Sequence, residues 1–182
     1  GVLDGKVAIV TGSARGIGRA TAELLSEQGA SVLINDLDGD VAEQTASEIA
    51  GETAVYAGDL TAEGACVELV RTAIDAWGKI DIIVNNAGYT IDAPIHKMSD
   101  DQFQKMLDIH NVVPFRVLRA AAPHLREPAK QERDQGAEVF RKVVNVSSIS
   151  GTMGNAGQAN YTSGKAGVVG LTKTLAKEWG QF

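Results

Sequence analysis

The chain of 182 residues has a single cysteine, no long apolar run and no excess of basic residues. One cysteine, Cys66, excludes an intrachain disulfide and fits a reducing compartment. No run approaches the ~18 consecutive apolar residues of a membrane-spanning helix, and no signal-peptide pattern opens the chain. A net charge of −6 gives no electrostatic basis for binding nucleic acid or an anionic membrane. We therefore expect a cytoplasmic protein that binds neither.

Apolar segments that fit buried strands alternate with segments of helical periodicity along the chain. Strands are predicted near 6–10, 31–35, 53–57, 80–84 and 142–147, and helices near 17–28, 40–50, 62–77, 100–125 and 158–180. Pro114 is expected to bend the long fourth helix. Repeated strand–helix alternation predicts one α/β domain, residues 1–182, with a doubly wound, Rossmann-type parallel sheet and helices on both faces.

The first predicted strand leads directly into a glycine-rich turn and then into a helix. The turn reads Thr11-Gly12-Ser13-Ala14-Arg15-Gly16-Ile17-Gly18. Glycines remove side chains where a pyrophosphate must approach the backbone, and the helix N-terminus offers free N–H groups. The spacing G-x-x-x-G-x-G differs from the commoner G-x-G-x-x-G, and any tight turn favours glycine. Its position between strand and helix nevertheless favours dinucleotide binding.

An acidic residue ends the second predicted strand. Asp36 lies eighteen residues after Gly18, where a carboxylate accepts hydrogen bonds from the adenosine ribose. It would repel the 2′-phosphate of NADP, whereas Arg15 could pair with that phosphate. We rank Asp36 above Arg15, because an arginine can swing into solvent, and predict NAD rather than NADP. A simple turn carboxylate is the alternative interpretation of Asp36.

Tyr161 and Lys165 lie four residues apart in a predicted helix, with Ser148 thirteen residues before the tyrosine. Residues i and i+4 share one helix face, so an ammonium can lie beside a phenol. A neighbouring cation favours the phenolate, which makes such a pair suitable for general acid/base work. A solvated helix face gives the same spacing by chance. The pair gains weight only together with the glycine turn.

These segments together resemble the short-chain dehydrogenase/reductase family, from about Leu3 to the last residue. The matching elements, in order, are Thr11-Gly12-x-x-x-Gly16-Ile17-Gly18, Asp59-Leu60, Asn85-Asn86-Ala87-Gly88, Asn111, Ser148 and Tyr161-x-x-x-Lys165. The stretch 151–161 resembles the 3-oxoacyl-[acyl-carrier-protein] reductase branch. The resemblance implies hydride transfer between a nicotinamide and a ketone or secondary alcohol, with reduction of a 3-oxoacyl thioester as the main interpretation.

Several other functions remain open at this point. An NAD-linked alcohol, steroid or 3-hydroxyacyl dehydrogenase is the alternative within the same class, and Asp36 favours it, since biosynthetic reductases usually prefer NADP. A nucleotide-sensing protein without catalysis is the alternative from another class. A structural subunit of a hetero-oligomer is a third. The presence of Asn111, Ser148, Tyr161 and Lys165 together argues against the sensor, which needs none of them.

The resemblance also implies individual roles. Tyr161 would be the general acid/base on the substrate oxygen, and Lys165 would favour its phenolate and bind the nicotinamide ribose. Ser148 would donate a hydrogen bond to the substrate oxygen, and Asn111 would hold a water that relays protons. The competing candidates for the serine role are Ser147 and Ser150.

The expected nucleotide contacts come from the ends of successive strands. They are Gly12, Ser13, Arg15, Gly16, Ile17, Gly18, Asp36, Leu37, Asp59, Leu60, Asn86, Ala87 and Gly88, together with Tyr161 and Lys165. A further set either lines a substrate pocket or packs in the core: Tyr89, Thr90, Ile91, Met153, Asn155 and Gln158. The three histidines lack metal-ligand spacing, so no metal is predicted, and each is interpreted as exposed or structurally satisfied.

Two segments depart from the family pattern. The charged stretch 127–138 is longer than usual and is expected to be a solvated loop or a helix extension, with partner contact as the alternative. The chain ends at Phe182, where the resemblance implies two further strands and a closing loop. The fifth strand would then be an uncovered edge, so we expect a C-terminal portion to be missing from this sequence.

A homotetramer, or failing that a dimer, is expected from the helix surfaces. Relatives pair the long helix and the catalytic helix across symmetric interfaces. The apolar positions expected to face outward are Phe115, Leu118, Val168 and Leu171. The other expected partner is a small-molecule or acyl-thioester substrate.

Overall fold

Five short, mostly apolar strands form one parallel sheet in the computed structural model, which describes residues 1–182. The strands are β1 (Val7–Val10), β2 (Ser31–Asp36), β3 (Thr53–Ala57), β4 (Ile82–Asn85) and β5 (Lys142–Asn145). Their order across the sheet is β3-β2-β1-β4-β5. Every residue of β1 and β4 is buried, as central strands covered on both faces must be. The predicted α/β parallel fold is confirmed.

Seven α-helices connect and cover the strands. They are α1 (Gly16–Glu27), α2 (Gly39–Glu48), α3 (Ala65–Trp77), α4 (Asp100–Leu107), α5 (Val113–Asp134), α6 (Ile149–Met153) and α7 (Ala159–Trp179). One apolar cluster lies between the sheet and α3 and α5, and a second lies on the opposite face with α1 and α2. The sequence did not predict α6, because five residues are too few for a helical period. No helix combines the length and apolarity needed to cross a lipid bilayer.

The order in which the chain adds strands to the sheet reverses between β1 and β4. The chain adds β2 and β3 on one side of β1 and then returns to place β4 on the other. The loops that leave β1 and β4 therefore diverge, and a crevice opens at the carboxyl ends of these two strands. This switch point positions the candidate site.

A five-residue π-helix, Asp108–Val112, joins α4 to α5. The N–H of Val113 donates to the carbonyl of Asp108, one residue farther back than in an α-helix. Pro114 follows at once, and proline has no N–H to continue the α-helical ladder. The disturbance predicted near Pro114 is present, and it changes which side chains of this segment face the sheet.

The charged segment 127–138 continues α5 as a helix up to Asp134, so the helix-extension alternative is correct. Its Glu132 accepts a hydrogen bond of 2.9 Å from Arg141. Arg141 also lies 3.4 Å from a carboxylate oxygen of the buried Asp81, which in turn accepts a 2.9 Å bond from the N–H of Val7. These contacts connect the C-terminal end of α5 to the amino ends of the strands.

Two of the four positions expected to face outward are buried. Leu118 and Val168 are each 2% exposed and pack within the chain itself. Phe115 is exposed and Leu171 half-buried. The expectation for Leu118 and Val168 was wrong, because the rotation imposed by the π-helix and the close packing of α7 turn these side chains inward.

Candidate active site

A cleft of about 800 Å³ runs along the carboxyl ends of the strands. The predicted residues that line it are Gly12, Arg15, Gly16, Ile17, Gly18, Asp36, Leu37, Asp59, Leu60, Asn86, Ala87, Gly88, Tyr161 and Lys165. Three predicted residues, Ser13, Asn111 and Ser148, are not part of its wall. The strand-end motifs, distant in sequence, thus share one surface.

The glycine turn presents bare backbone to the cleft. Gly12 and Gly16 have φ of +61° and +56°, in the region where a side chain is strained. A Cβ on Gly12 would come within 2.7 Å of the Cα of Ala87, whereas one on Gly16 would meet nothing within 4 Å. Arg15 at the start of α1 makes no side-chain cap, so the first N–H groups of that helix are available to an anion. The turn fits a pyrophosphate.

Ser13 faces away from the cleft. Its hydroxyl donates to the carbonyl of Val10 over 2.7 Å and accepts from the N–H of Asn35 over 3.0 Å, and its side chain is fully buried. The hydroxyl is used to join β1 to β2, and the cofactor contact of Ser13 stays a prediction.

Asn86 braces the turn from β4. Its amide nitrogen donates to the carbonyls of Thr11 and Gly12 at 3.1 and 3.0 Å. The hydroxyl of Thr11 accepts in return from the N–H groups of Asn86 and Ala87, both at 3.0 Å. These four bonds hold the floor of the cleft at the point where the two sides of the sheet diverge.

The far end of the cleft is acidic. A carboxylate oxygen of Asp36 accepts a 3.3 Å bond from the N–H of Ala14. The Arg15 side chain is 62% exposed and forms a 2.6 Å ion pair with Asp38. Asp59 holds its own turn, accepting from the N–H and hydroxyl of Thr61. The carboxylates of Asp36 and Asp38, the second paired with Arg15, therefore lie at the end of the cleft where the sequence predicts the adenosine ribose.

Tyr161 and Lys165 lie on the face of α7 that borders the cleft. The Lys165 ammonium is 5.7 Å from the centre of the Tyr161 ring. It donates a 2.6 Å bond to the carbonyl of Val146, and the side chain is 6% exposed. Burial, with no carboxylate beside it, lowers the pKa of Lys165. The Tyr161 hydroxyl takes part in no hydrogen bond within the chain.

The structure distinguishes the three serine candidates by what their hydroxyls bind. Ser147 donates to the carbonyl of Lys165 over 2.9 Å, and Ser150 donates to the side chain of Gln158 over 3.0 Å. Ser148 caps α6 by accepting a 3.1 Å bond from the N–H of Ser150. Only Ser148 therefore keeps its hydroxyl hydrogen for another acceptor.

His110 is a neighbour of Tyr161 that the sequence did not indicate. Its ring meets the edge of Tyr161 at 4.8 Å between centroids and 88° between planes. Its Nε2 lies 2.6 Å from the carbonyl of Tyr89, while Nδ1 is buried without a partner. Burial lowers the pKa of His110 to about 4, so the ring is neutral at pH 7 and donates from Nε2 to that carbonyl. The closest sequence signal is Pro114, whose bend produces the π-helix that carries this side chain.

Asn111 lies one residue farther along and points elsewhere. Its side chain packs on α7, where a Cβ added to Gly167 would come within 2.7 Å of the Asn111 amide nitrogen. It lies outside the cleft wall and makes no hydrogen bond to Lys165. The relay role of Asn111 acts through a bound water and stays a prediction; of these two neighbours, His110 is the one whose ring contacts Tyr161.

The model of the family of short chain dehydrogenases matches residues 6–182. The chain belongs to the short-chain dehydrogenase family. The resemblance seen in its motifs is thereby confirmed, and so is its likeness to the 3-oxoacyl-[acyl-carrier-protein] reductase branch.

Two named relatives share part of its sequence, and one solved structure shares its fold. Hydroxyacyl-CoA dehydrogenase ChsB1 of Mycobacterium tuberculosis is 39% identical, covering 99% of this chain and 58% of that protein. The 3-oxoacyl-[acyl-carrier-protein] reductase FabG of Vibrio cholerae is 41% identical, covering 97% and 68%. The crystal structure of a short chain dehydrogenase from Mycobacterium avium matches with a TM-score of 0.90 and 34% identity, covering 100% and 65%. The chain thus spans 58% to 68% of the length of these three proteins.

Proposed function

We infer that residues 1–182 are the dinucleotide-binding and catalytic domain of an NAD-dependent oxidoreductase that interconverts a ketone and a secondary alcohol. The observation that carries this proposal is the Tyr161 hydroxyl, which no group of the chain engages. It lies beside the buried Lys165 in the same cleft as the open glycine turn. A proton-transfer group and a nucleotide cradle thus share one surface.

Each residue is assigned a role according to the donor or acceptor atoms that it does not use within the fold. A bound nicotinamide would supply the hydride chemistry. Tyr161 would pass a proton to or from the substrate oxygen, and the uncommitted hydroxyl hydrogen of Ser148 would stabilise charge on that oxygen. Two N–H groups of Lys165 remain after its bond to Val146, and these would serve the phenolate and a ribose hydroxyl.

NAD is the preferred cofactor in this proposal. Asp36 places a carboxylate where a 2′-phosphate would lie, and Asp38 adds a second one. Arg15, the one cation that could pair with that phosphate from the turn, is already paired with Asp38. NADP would have to disrupt this pair and approach two negative charges, which disfavours it.

A 3-oxoacyl thioester is the substrate that the relatives favour. The Vibrio cholerae relative is named for reduction of such a thioester, and the Mycobacterium tuberculosis relative for oxidation of a hydroxyacyl thioester. Exposed apolar side chains of α6 and the loop after β4, Ile149, Met153 and Ile95, offer surface to an acyl chain. The 3-hydroxyacyl dehydrogenase remains the second candidate, since the preference for NAD favours oxidation.

The test is a panel of 3-oxoacyl and 3-hydroxyacyl thioesters, simple ketones, alcohols and steroids, followed by NADH and NADPH absorbance with the intact protein. We expect turnover of a thioester with NAD(H) and weaker turnover with NADP(H). Tight nucleotide binding without turnover of any member would instead favour the nucleotide-sensing alternative.

The assembly and location remain predictions. Phe115 is the exposed apolar residue of the four that the sequence singled out for a homotetramer. Light scattering of the intact protein tests this assembly, and a monomer would contradict it. Cell fractionation tests the cytoplasmic location.

A further inference from the structure

Gln158 is a buried polar side chain that the proposed mechanism does not use. It is 8% exposed and lies just before the first turn of α7, three residues before Tyr161. Its amide nitrogen donates to both carboxylate oxygens of Asp92, each over 3.2 Å. Its amide oxygen accepts from the hydroxyl of Ser150 and from the amide of Asn155, each over 3.0 Å. Both ends of the side chain are therefore fully engaged.

These bonds join the loop after β4 to α6. Asp92 belongs to that loop, whose Tyr89 and Thr90 line the cleft. Ser150 belongs to α6. A second contact runs parallel to the first, since the N–H of Ala93 donates to the carbonyl of Gly157 over 2.8 Å.

The contact with Ser150 reaches the reactive end of the cleft through one further bond. The N–H of Ser150 is the group that holds the Ser148 hydroxyl oxygen, at 3.1 Å. A change in the position of Ser150 therefore changes the position of the hydroxyl that would stabilise the substrate oxygen. α6 has only five residues, so it has little internal rigidity to resist such a change.

We propose that Gln158 is a positioning residue that holds Ser148 against the substrate oxygen by tying Ser150 of α6 to Asp92 of the loop after β4. This inference rests on the proposed oxidoreductase function. It predicts that Gln158 acts on the rate of the chemical step through Ser148 and leaves the nucleotide end of the cleft unchanged.

The test begins with Gln158→Met, which keeps the length of the side chain and removes all four bonds. We expect kcat to fall at least tenfold while the dissociation constant for NAD stays within twofold. In a Ser148→Ala background, Gln158→Met should cost less than twofold, because the group through which it acts is already gone. An equal loss in both backgrounds would overturn the proposal.

A reversed pair gives an independent check. The double variant Asp92→Asn with Gln158→Glu exchanges amide and carboxylate, so that an amide N–H again donates to a carboxylate. We expect it to recover kcat to within about threefold of the wild type. The exposed pair of Gln104 on α4 with Asp108 of the π-helix, 2.8 Å apart, is the matched control, and Gln104→Met should leave kcat within twofold. Failure of the reversed pair to recover would contradict the proposal.

Two further measurements keep the proposal testable if Gln158→Met fails to fold or if the protein turns over no substrate. Ser150→Ala removes only the hydroxyl arm and keeps the N–H that holds Ser148, and we expect a fall in kcat of about threefold to tenfold. Amide hydrogen exchange at Ala93, whose N–H donates to Gly157, should accelerate at least tenfold in Gln158→Met, and unchanged protection there would overturn the tether. This second measurement holds even if the wild type turns over no substrate, an outcome that would remove the proposed function alone.

Discussion

The two ends of the cleft use polar groups in opposite ways. At the nucleotide end, the side chains of Ser13, Asn35 and Asn86 are consumed by bonds within the fold, and the N–H groups that remain free are the first ones of α1. At the reactive end, the hydroxyl of Tyr161 and the hydroxyl hydrogen of Ser148 remain free, while the hydroxyls of Ser147 and Ser150 donate to groups of the fold. The first end binds with main chain and the second acts with side chains.

This difference explains which substitutions each end tolerates. Backbone recognition depends on the absence of side chains, so an atom added where the turn is tightly packed, as at Gly12, should damage it. Side-chain chemistry depends on single atoms, so the removal of one oxygen is enough to stop it. The four variants below test this contrast, from the largest expected effect to the smallest.

Tyr161→Phe removes one oxygen from the reactive end and should lower kcat by roughly 10²–10⁴-fold, the usual contribution of a general acid/base. The dissociation constant for NAD, measured by calorimetry, should stay within a few-fold. Tyr89→Phe in the same cleft is the matched control and should retain activity. Wild-type turnover by the Tyr161→Phe variant would remove this tyrosine from its role.

Gly12→Ala adds one carbon to the nucleotide end. The new Cβ would meet the backbone of Ala87 at 2.7 Å, and the φ of +61° adds strain. Gly5, with φ of +70° and open space around it, is the control for strain alone. We expect Gly5→Ala to lower stability by about 1–2 kcal/mol, and Gly12→Ala to lower it further and weaken NAD binding at least tenfold. Equal melting temperatures and affinities in the two variants would contradict the role of the close contact.

His110 should make the stability of the protein depend on pH. Its pKa is about 4 in the folded chain and 6.5 in the unfolded one, so the unfolded state binds the extra proton as the pH falls below about 6.5. Folding stability is unaffected by this group above that pH and falls by roughly 3 kcal/mol by pH 4.

Urea unfolding of wild type and His110→Asn at pH 7 and pH 4.5 measures this loss. The variant should lose less stability than the wild type over this range, whereas substitution of the exposed His96 should change nothing. The same loss in wild type and His110→Asn would show that other groups cause it.

Asp38→Asn should give the smallest effect. Asparagine still caps α2, as Asp38 does for the N–H of Val41, but it releases Arg15. We expect affinity for 2′,5′-ADP to rise only a few-fold, since exposed ion pairs contribute at most about 1 kcal/mol. Isothermal titration in an Arg15→Gln background should show no gain; a gain there would mean that Asp38 acts by direct repulsion.

The sequence indicated the nucleotide end better than the reactive end, for a physical reason. Strand, glycine turn and helix are consecutive, so local spacing alone predicts where Gly12, Gly16 and Gly18 lie. Asp36 follows from the length of one strand–helix–strand unit. The inward orientation of Ser13 could not be predicted, because its partner, the N–H of Asn35, belongs to another strand.

The reactive end depends on packing between distant segments. Tyr161 and Lys165 share a helix, so their proximity could be predicted. The approach of His110 depends on one extra residue in the π-helix, which no periodicity reveals. Gln158 contacts its partners only when the loop after β4, α6 and α7 come together. The sequence therefore could not decide whether this side chain lines a substrate pocket or packs in the core.

Asp81 lies at the amino ends of the strands, at the opposite edge of the sheet from the cleft, and its buried carboxylate needs partners there. A carboxylate 2% exposed is balanced there by Lys79 at 3.0 Å and Arg141 at 3.4 Å. Loss of either neighbour would leave the negative charge of Asp81 poorly compensated among the starts of three strands. A buried charge that has lost its partner strongly lowers the stability of the folded state. Mutational tolerance in this protein should therefore be lowest at two opposite rims of the sheet, only one of which is the proposed active site.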